Sequence, residues 1–109
     1  MKKFILSALL FLISFPLFCQ IEVKYFNAGW NKANDIEWVS KLSDCKLERF
    51  DIGADQSLAS KYKVVVVPTI IVFQDGEESE RFQADISFKM AATREDVQDY
   101  IDELIMSAF

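Results

Sequence analysis

The sequence predicts a three-layer α/β domain in which helices cover both faces of a mixed four-stranded sheet. Three observations predict this fold class. Residues 21–26 alternate between apolar and polar side chains, which is typical of a half-buried strand. Residues 64–73 form a nearly continuous apolar run that leads to Asp75-Gly76, a hairpin signal. Residues 97–108 carry apolar side chains at helical spacing.

The first half of the domain is predicted to be a βαβ unit. After the first strand, apolar residues at helical spacing predict a helix over 34–43, for which Asn31 and Asn34 are candidate N-cap residues. A second strand is predicted over 47–52. Two strands that are joined through a helix are expected to be parallel, with a right-handed crossover.

The second half of the domain is predicted to be an αββα unit. A short helix over 56–62 precedes the apolar run. Pro68 cannot donate a hydrogen bond to a strand ladder, so it is expected at the start of the buried strand. The returning strand over 77–83 is rich in charge, which suits a sheet edge because charges discourage pairing with other molecules. In the last helix, Thr93 is expected to cap the N-terminus and Asp96 to complete a capping box.

The first nineteen residues are typical of a secretory signal peptide. Two lysines precede an uncharged apolar run over 4–18, which is shorter than the ~20 residues of a membrane span. We expect cleavage after Cys19, which leaves residues 20–109 as a secreted or periplasmic domain without membrane attachment. Two alternatives stay open. One is a lipoprotein signal acylated on Cys19, against which the bulky Phe18 argues, and the other is an uncleaved anchor.

The composition excludes several classes of function. The chain of 109 residues has no histidine, which removes Ser-His and Cys-His nucleophile pairs and the usual zinc ligand sets. A net charge of −5 argues against a nucleic-acid partner. The sequence contains no glycine-rich phosphate loop and no spacing of oxygen ligands suited to calcium. We therefore expect neither a cofactor nor a metal.

Three segments of the chain resemble the thioredoxin family. Residues 61–77, with the sequence KYKVVVVPTIIVFQDGE, are similar to the family's stretch around its cis-proline. Residues 51–56 are similar to the family's second strand and the start of its short helix. Residues 25–30 are similar to its first core strand and the tryptophan before the active site. The extra N-terminal strand and helix of the family have no counterpart, so the resemblance implies a minimal thioredoxin-like fold.

The chain departs from the family at the redox motif. Where thioredoxins carry C-x-x-C, this sequence has Asn31-Lys-Ala-Asn34. Disulfide exchange needs a thiolate nucleophile and a second thiol that resolves the mixed disulfide, and asparagine provides neither. The resemblance also places the family's buried acid at Tyr25. It therefore implies a redox-inactive protein with no catalytic residues.

The resemblance further implies a groove that does not depend on cysteine. A cis peptide at Val67-Pro68 would face Trp30 and the turn that contains Asn31 and Asn34. In the family this groove binds an extended polypeptide through backbone hydrogen bonds, a form of strand addition. The functional hypothesis is that these five residues bind a peptide or protein partner. The alternative is that Pro68 and Trp30 have purely structural roles.

Two further hypotheses remain open. Cys45 is the one cysteine left after the predicted cleavage, and it offers a thiol-dependent oxidoreductase or a mixed disulfide with another protein. The pattern places it near the second strand, away from the redox position. In the stretch 84–92, Ile86, Phe88 and Met90 alternate with polar residues. If exposed, they would form an association patch for a homo-oligomer; otherwise they cover the core or extend the edge strand.

Overall fold

The computed structural model describes residues 21–108, so the predicted signal peptide and the alternatives at Cys19 lie outside the described residues. The elements are β1 (Ile21–Asn27), two 3-10 helices (Gly29–Asn34 and Glu37–Lys41), β2 (Lys46–Asp51), α1 (Gln56–Tyr62), β3 (Thr69–Gln74), β4 (Glu77–Gln83) and α2 (Arg94–Ser107). Within this part of the chain, no helix combines the length and the hydropathy needed to cross a bilayer.

The four strands form one sheet in the order β2-β1-β3-β4. β1 pairs in parallel with β2, whereas antiparallel pairs join β1 to β3 and β3 to β4. This confirms the predicted mixed sheet. The strand predicted over 64–73 begins only at Thr69, directly after Pro68. The residues before Pro68 do not join the sheet. The N–H of Val64 donates to the carbonyl of Ala59, so this part of the chain is still hydrogen-bonded to the C-terminal turn of α1.

Several elements have the predicted bounds because local signals determine them. The predicted helix over 56–62 and edge strand over 77–83 are confirmed, and β2 lies one residue earlier than predicted. Asp75 and Gly76 form the predicted turn with positive φ angles of 55° and 85°. The capping box at α2 is also confirmed, since Thr93 and Asp96 each accept the other's backbone N–H.

The core lies on both faces of the sheet, as expected for three layers. The larger cluster joins β1 and β3 to the second 3-10 helix and α2; its buried members are Ile21, Val23, Tyr25, Ile36, Val39, Ile70, Val72, Val97 and Ile101. The smaller cluster lies on the α1 face and contains Phe26, Val64, Val67, Ile71 and Phe73. Each fully buried side chain of this size contributes roughly 1.5–3 kcal/mol.

A lysine covers the smaller cluster. The Nζ of Lys24 lies 5.5 to 5.8 Å from the ring centroids of Phe50, Tyr62 and Phe73, and it forms an ion pair with Glu48. Burial lowers the pKa of Lys24, but the hydrogen bond and charge of Glu48 outweigh that effect, so the pKa is raised overall. The ammonium group therefore remains charged among the rings, where cation–π attraction favours it.

The prediction of a single helix over 34–43 is wrong. The first 3-10 helix ends at Asn34, and Asp35 and Ile36 have extended backbone angles, with ψ of 147° and 106°. The second 3-10 helix begins only at Glu37. Neither Asn31 nor Asn34 caps an α-helix, so the predicted N-cap roles of these two residues are wrong as well.

The interruption has a tertiary cause. The backbone N–H of Ile36 donates to the hydroxyl of Tyr25 at 2.8 Å, whereas in an α-helix it would donate to a carbonyl one turn earlier. The Tyr25 hydroxyl in turn donates to the carboxylate of Asp35 at 2.5 Å. Asp35 and Ile36 are thus both hydrogen-bonded to the buried side chain of Tyr25. The backbone hydrogen bonds of an α-helix therefore cannot continue through these two residues.

Candidate binding groove

The predicted groove residues come from two segments that meet at the carboxyl end of β1. Trp30, Asn31 and Asn34 lie in the first 3-10 helix, which directly follows β1. Val67 and Pro68 lie in the loop before β3, and the peptide bond between them is cis. The Nδ2 group of Asn31 lies 3.5 Å from the carbonyl oxygen of Val67. This contact brings the two segments together.

A chain of asparagine amides lies at the carboxyl end of β1. Asn34 Nδ2 donates to Asn31 Oδ1 at 2.8 Å, and Asn31 Nδ2 donates to Asn27 Oδ1 at 3.0 Å. Asn31 is only 4% exposed, and its side-chain amide hydrogen-bonds to Asn27 and to Asn34. None of the three side chains ionises. These three side chains therefore form a fixed pattern of neutral hydrogen-bond donors and acceptors.

Tyr25 and Asp35 support this chain from the core side. Asn27 Nδ2 lies 3.5 Å from the Asp35 carboxylate, which also accepts the Tyr25 hydroxyl. Burial, with the hydrogen bond to Asp35, raises the pKa of Tyr25 above its ordinary value. The phenol therefore stays protonated at neutral pH and positions its neighbours without acting as a base. Sequence reasoning missed Asn27 and Asp35. Asn27 could have been found from the sequence, because it places a polar amide on the face of β1 that otherwise carries apolar side chains.

The backbone beside Pro68 offers pairing groups. Among residues 21–108, the N–H of Val67 meets no acceptor, and its carbonyl has only the long contact to Asn31. The neighbouring carbonyls are occupied: that of Val66 accepts the Thr69 hydroxyl at 2.7 Å, and that of Pro68 accepts the N–H of Ala84 at 3.0 Å. Val67 is 3% exposed, and its backbone N–H is the group beside Pro68 that stays unused within the described residues.

Trp30 and Phe88 form the aromatic border of the groove. Trp30 is 68% exposed, and its ring meets Phe88 edge to face with centroids 5.4 Å apart. The three residues of the predicted association patch have different surroundings. Ile86 is 93% exposed and Phe88 lies against Trp30, whereas Met90 packs against the larger core cluster. The structure thus joins Phe88 to the groove and Met90 to the core.

A carboxylate fixes the loop that presents Phe88. Asp85 Oδ1 accepts the N–H and the hydroxyl of Ser87 at 2.8 and 2.6 Å and the N–H of Lys89 at 3.1 Å. The Ser87 hydroxyl is the main cause that lowers the pKa of Asp85. Phe88 has a φ of 68°, which is rare for an aromatic residue and needs such support.

Cys45 lies at the other end of the sheet. It directly precedes β2, whose register pairs Lys46 with Glu22 and Asp51 with Asn27. At ~3.3 Å per residue, this separates Cys45 from the groove by roughly 20 Å. Burial, together with the charge of Asp44, raises the pKa of the thiol to about 11. Within residues 21–108, no cluster of three or more His, Cys, Asp or Glu side chains is arranged to hold a metal ion.

The sheet order, the cis proline and the position of the groove define a thioredoxin-like fold. No known protein-family profile matches the sequence, and no curated protein matches it. Among solved structures, a mutant thioredoxin from Halobacterium salinarum is similar, with 24% identity, 81% of this chain and 77% of that chain covered, and a TM-score of 0.62.

Two other thioredoxins give comparable matches. Thioredoxin-2 of a malaria parasite, described as a component of its protein secretion machinery, is 24% identical over 77% of this chain and 82% of its own, with a TM-score of 0.62. Thioredoxin 1 from Thermosipho africanus is 20% identical over 80% and 97%, with a TM-score of 0.60. At these identities the likeness establishes the fold.

Proposed function

We propose that this chain is a redox-inactive, thioredoxin-like protein of the cell envelope that binds an extended polypeptide in the groove beside Pro68. The observation that carries the proposal is the amide chain of Asn27, Asn31 and Asn34. It fills the position at which disulfide exchange requires two thiols. The signal-peptide pattern of residues 1–19 supports the envelope location.

Polypeptide binding is supported by the pairing groups of Val67 and the exposed ring of Trp30. An extended segment that accepts from the Val67 N–H gains a hydrogen bond that this loop does not make within the described residues. Trp30 supplies a large apolar surface beside it at little cost in side-chain entropy. Neither contribution requires a cysteine.

The surroundings of Cys45 argue against the alternative thiol-dependent activity. A reactive cysteine needs a lowered pKa, a helix N-terminus or a neighbouring cation. Cys45 instead has a raised pKa, an acidic neighbour in Asp44 and a half-buried side chain. It also lies far from the groove in which a substrate would bind.

Insulin reduction with dithiothreitol as the donor tests the redox part of the proposal. We expect the protein to leave the rate at that of dithiothreitol alone, with Cys45→Ser indistinguishable from the natural chain. Turnover that Cys45→Ser abolishes would overturn this part of the proposal and support the thiol-dependent alternative.

Binding of an unfolded polypeptide tests the groove. The probe is reduced, carboxymethylated α-lactalbumin, whose thiols are blocked so that mixed disulfides cannot form. We expect saturable binding that Trp30→Ala weakens by about 5-fold or more, as for an aromatic anchor. Met106→Ala is the matched control, because Met106 is 75% exposed on α2. Equal affinity for both variants would reject the groove.

A further inference from the structure

The turn over residues 85–89 is a closed unit that carries Phe88. The N–H of Asp85 donates to the carbonyl of Lys89, and the N–H of Phe88 donates to the carbonyl of Asp85, each at 2.9 Å. Oδ1 of Asp85 accepts three more hydrogen bonds from within the turn. These bonds fix the backbone on both sides of Phe88, so its ring is presented from a rigid support.

Both ends of this turn are anchored beside the groove. Ala84, directly before the turn, is buried, and its N–H donates to the carbonyl of Pro68 at 3.0 Å. Met90, directly after the turn, packs against the larger core cluster. The position of Phe88 is thus tied to the core and to the proline that borders the groove.

The indole of Trp30 is restrained by Phe88. Trp30 lies on a six-residue 3-10 helix and is mostly exposed. Among residues 21–108, Phe88 is the aromatic side chain in contact with it, with the ring centroids 5.4 Å apart. A side chain that is fixed before a partner arrives loses less conformational entropy on binding. For one large side chain this difference corresponds to about 2- to 10-fold in affinity.

The backbone of Phe88 indicates that its ring has a role outside the turn. The φ of 68° lies in the left-handed region, which glycine adopts freely and an aromatic residue does not. The hydrogen bond that Phe88 makes within the turn uses its main-chain N–H, and glycine would make it equally well. Strained residues of this kind cluster at functional sites.

Two roles are compatible with the contact between the rings: Phe88 either fixes the indole of Trp30 or covers it as a lid. The exposure of Trp30 favours the first role. With Phe88 in contact, 68% of the Trp30 surface is still open to solvent. A lid would bury most of the ring.

We propose that Phe88 is a positioning residue of the groove, which holds the indole of Trp30 in a fixed orientation for the bound polypeptide. The Asp85 turn in its way sets the place of Phe88. The inference rests on the proposed function, because it assigns Phe88 a role in that same binding site. The affinity of the groove is then controlled from the loop after β4.

Binding of carboxymethylated α-lactalbumin, measured by calorimetry, tests the role of the ring. We expect Phe88→Ala and Phe88→Gly each to weaken binding by about 2- to 10-fold, whereas Phe88→Tyr keeps the ring and stays within about 2-fold of the natural chain. Ile86→Ala is the matched control, because Ile86 lies in the same turn and is almost fully exposed. It should bind like the natural chain.

The pair Phe88→Ala and Phe88→Gly separates the ring from the stability of the turn. Both variants lose the ring, but glycine also relieves the positive φ, so Phe88→Gly should unfold about 4–8 °C above Phe88→Ala. We expect equal affinities despite this difference. Affinities that follow the melting temperatures would make the effect merely structural and overturn the proposal. If Phe88→Ala does not fold, the comparison of Phe88→Gly with Phe88→Tyr decides the role of the ring.

Time-resolved fluorescence anisotropy observes the restraint directly. In a Trp38→Phe background, Trp30 is the remaining tryptophan of the chain. We expect Phe88→Ala to add a fast local decay on the picosecond-to-nanosecond scale of free side-chain motion, and Ile86→Ala to leave the decay unchanged. Local motion of Trp30 that is the same with and without the Phe88 ring overturns the positioning role.

The outcomes distinguish this inference from the proposed function. If the natural chain binds the probe and Phe88→Ala binds it equally well, the groove stands and the positioning role falls. Tighter binding by Phe88→Ala makes the ring a lid and also overturns the inference. If the natural chain shows no saturable binding, the proposed function falls, and the role of Phe88 in it falls as well.

Discussion

The hydroxyl of Tyr25 accepts the backbone N–H of Ile36 and donates to the carboxylate of Asp35, so one phenol on β1 binds two successive residues of the following segment. This arrangement replaces a continuous helix with two 3-10 helices. It also places Asp35 behind the asparagine chain, beside Asn27. A single buried side chain therefore shapes the segment that follows β1 and carries the candidate groove residues.

Removing that hydroxyl should destabilise the fold. Tyr25→Phe leaves the N–H of Ile36 and the carboxylate of Asp35 without their partner, and we expect a loss of about 1–3 kcal/mol in the free energy of unfolding. Urea denaturation measures it. Tyr62→Phe is the control, because the Tyr62 hydroxyl makes no hydrogen bond within the described residues. Equal losses in the two variants would mean that the hydroxyl network contributes nothing specific.

Introducing cysteines at residues 31 and 34 should give a poor oxidoreductase. No α-helix begins there, so a thiol introduced by Asn31→Cys gains no support from a helix dipole, and its burial disfavours the thiolate. We expect the double variant Asn31→Cys, Asn34→Cys to have a thiol pKa at or above the ordinary ~8.5. Thiolate absorbance at 240 nm against pH measures it. A value well below that would show that the segment forms a helix N-terminus in solution.

Cys45 should react slowly with alkylating agents. With a pKa of about 11, roughly one thiol in a thousand is ionised at pH 8, and the thiolate is the reacting form. We expect the rate of iodoacetamide labelling to rise about tenfold per pH unit between pH 7 and 10. Mass spectrometry follows the modification, with the urea-unfolded chain as the fast reference. A rate that levels off near pH 8.5 would contradict the raised pKa.

The Asp85 turn should persist in mild acid. The pKa of Asp85 is lowered in the folded state, so its stabilising effect is present above the unfolded value of ~3.9 and disappears as pH falls through the lowered folded value. In a Trp38→Phe background, the emission of Trp30 reports the contact with Phe88. We expect it to be constant from pH 7 to about 4 and to change below that range, and Asp85→Ala should show the changed signal at neutral pH.

A titration midpoint of the Trp30 signal near pH 6 would assign the loop to another group. The isosteric Asp85→Asn provides an intermediate case, because it keeps one acceptor oxygen but loses the charge. It should retain part of the neutral-pH signal.

The sequence predicts the elements whose determinants lie within a few residues. The capping box at Thr93 and the Asp75-Gly76 turn depend only on neighbouring side chains and backbone, and both were predicted. The segment over 34–43 has apolar spacing that suits a helix. Its conformation is nevertheless determined by a hydrogen bond to Tyr25, a residue outside this segment. The apolar spacing within the segment gives no information about that contact.

The same limit applies to the candidate site. The resemblance to thioredoxins brought together Trp30, Asn31 and Pro68. The contact between Asn31 and Val67 spans 36 positions, and no local pattern encodes it. Phe88 was predicted as part of an association patch, and only the folded chain shows that its ring meets Trp30. Long-range partners of this kind depend on the tertiary packing of the sheet and loops.

The ammonium group of Lys24 lies among the rings of Phe50, Tyr62 and Phe73. It therefore covers the smaller core cluster with a charged group, where most domains have an apolar side chain. Reductive dimethylation preserves that charge and should be tolerated. Acetylation neutralises it, removing both the attraction to the three rings and the pairing with Glu48. This face of the domain is therefore sensitive to the chemical state of one amine.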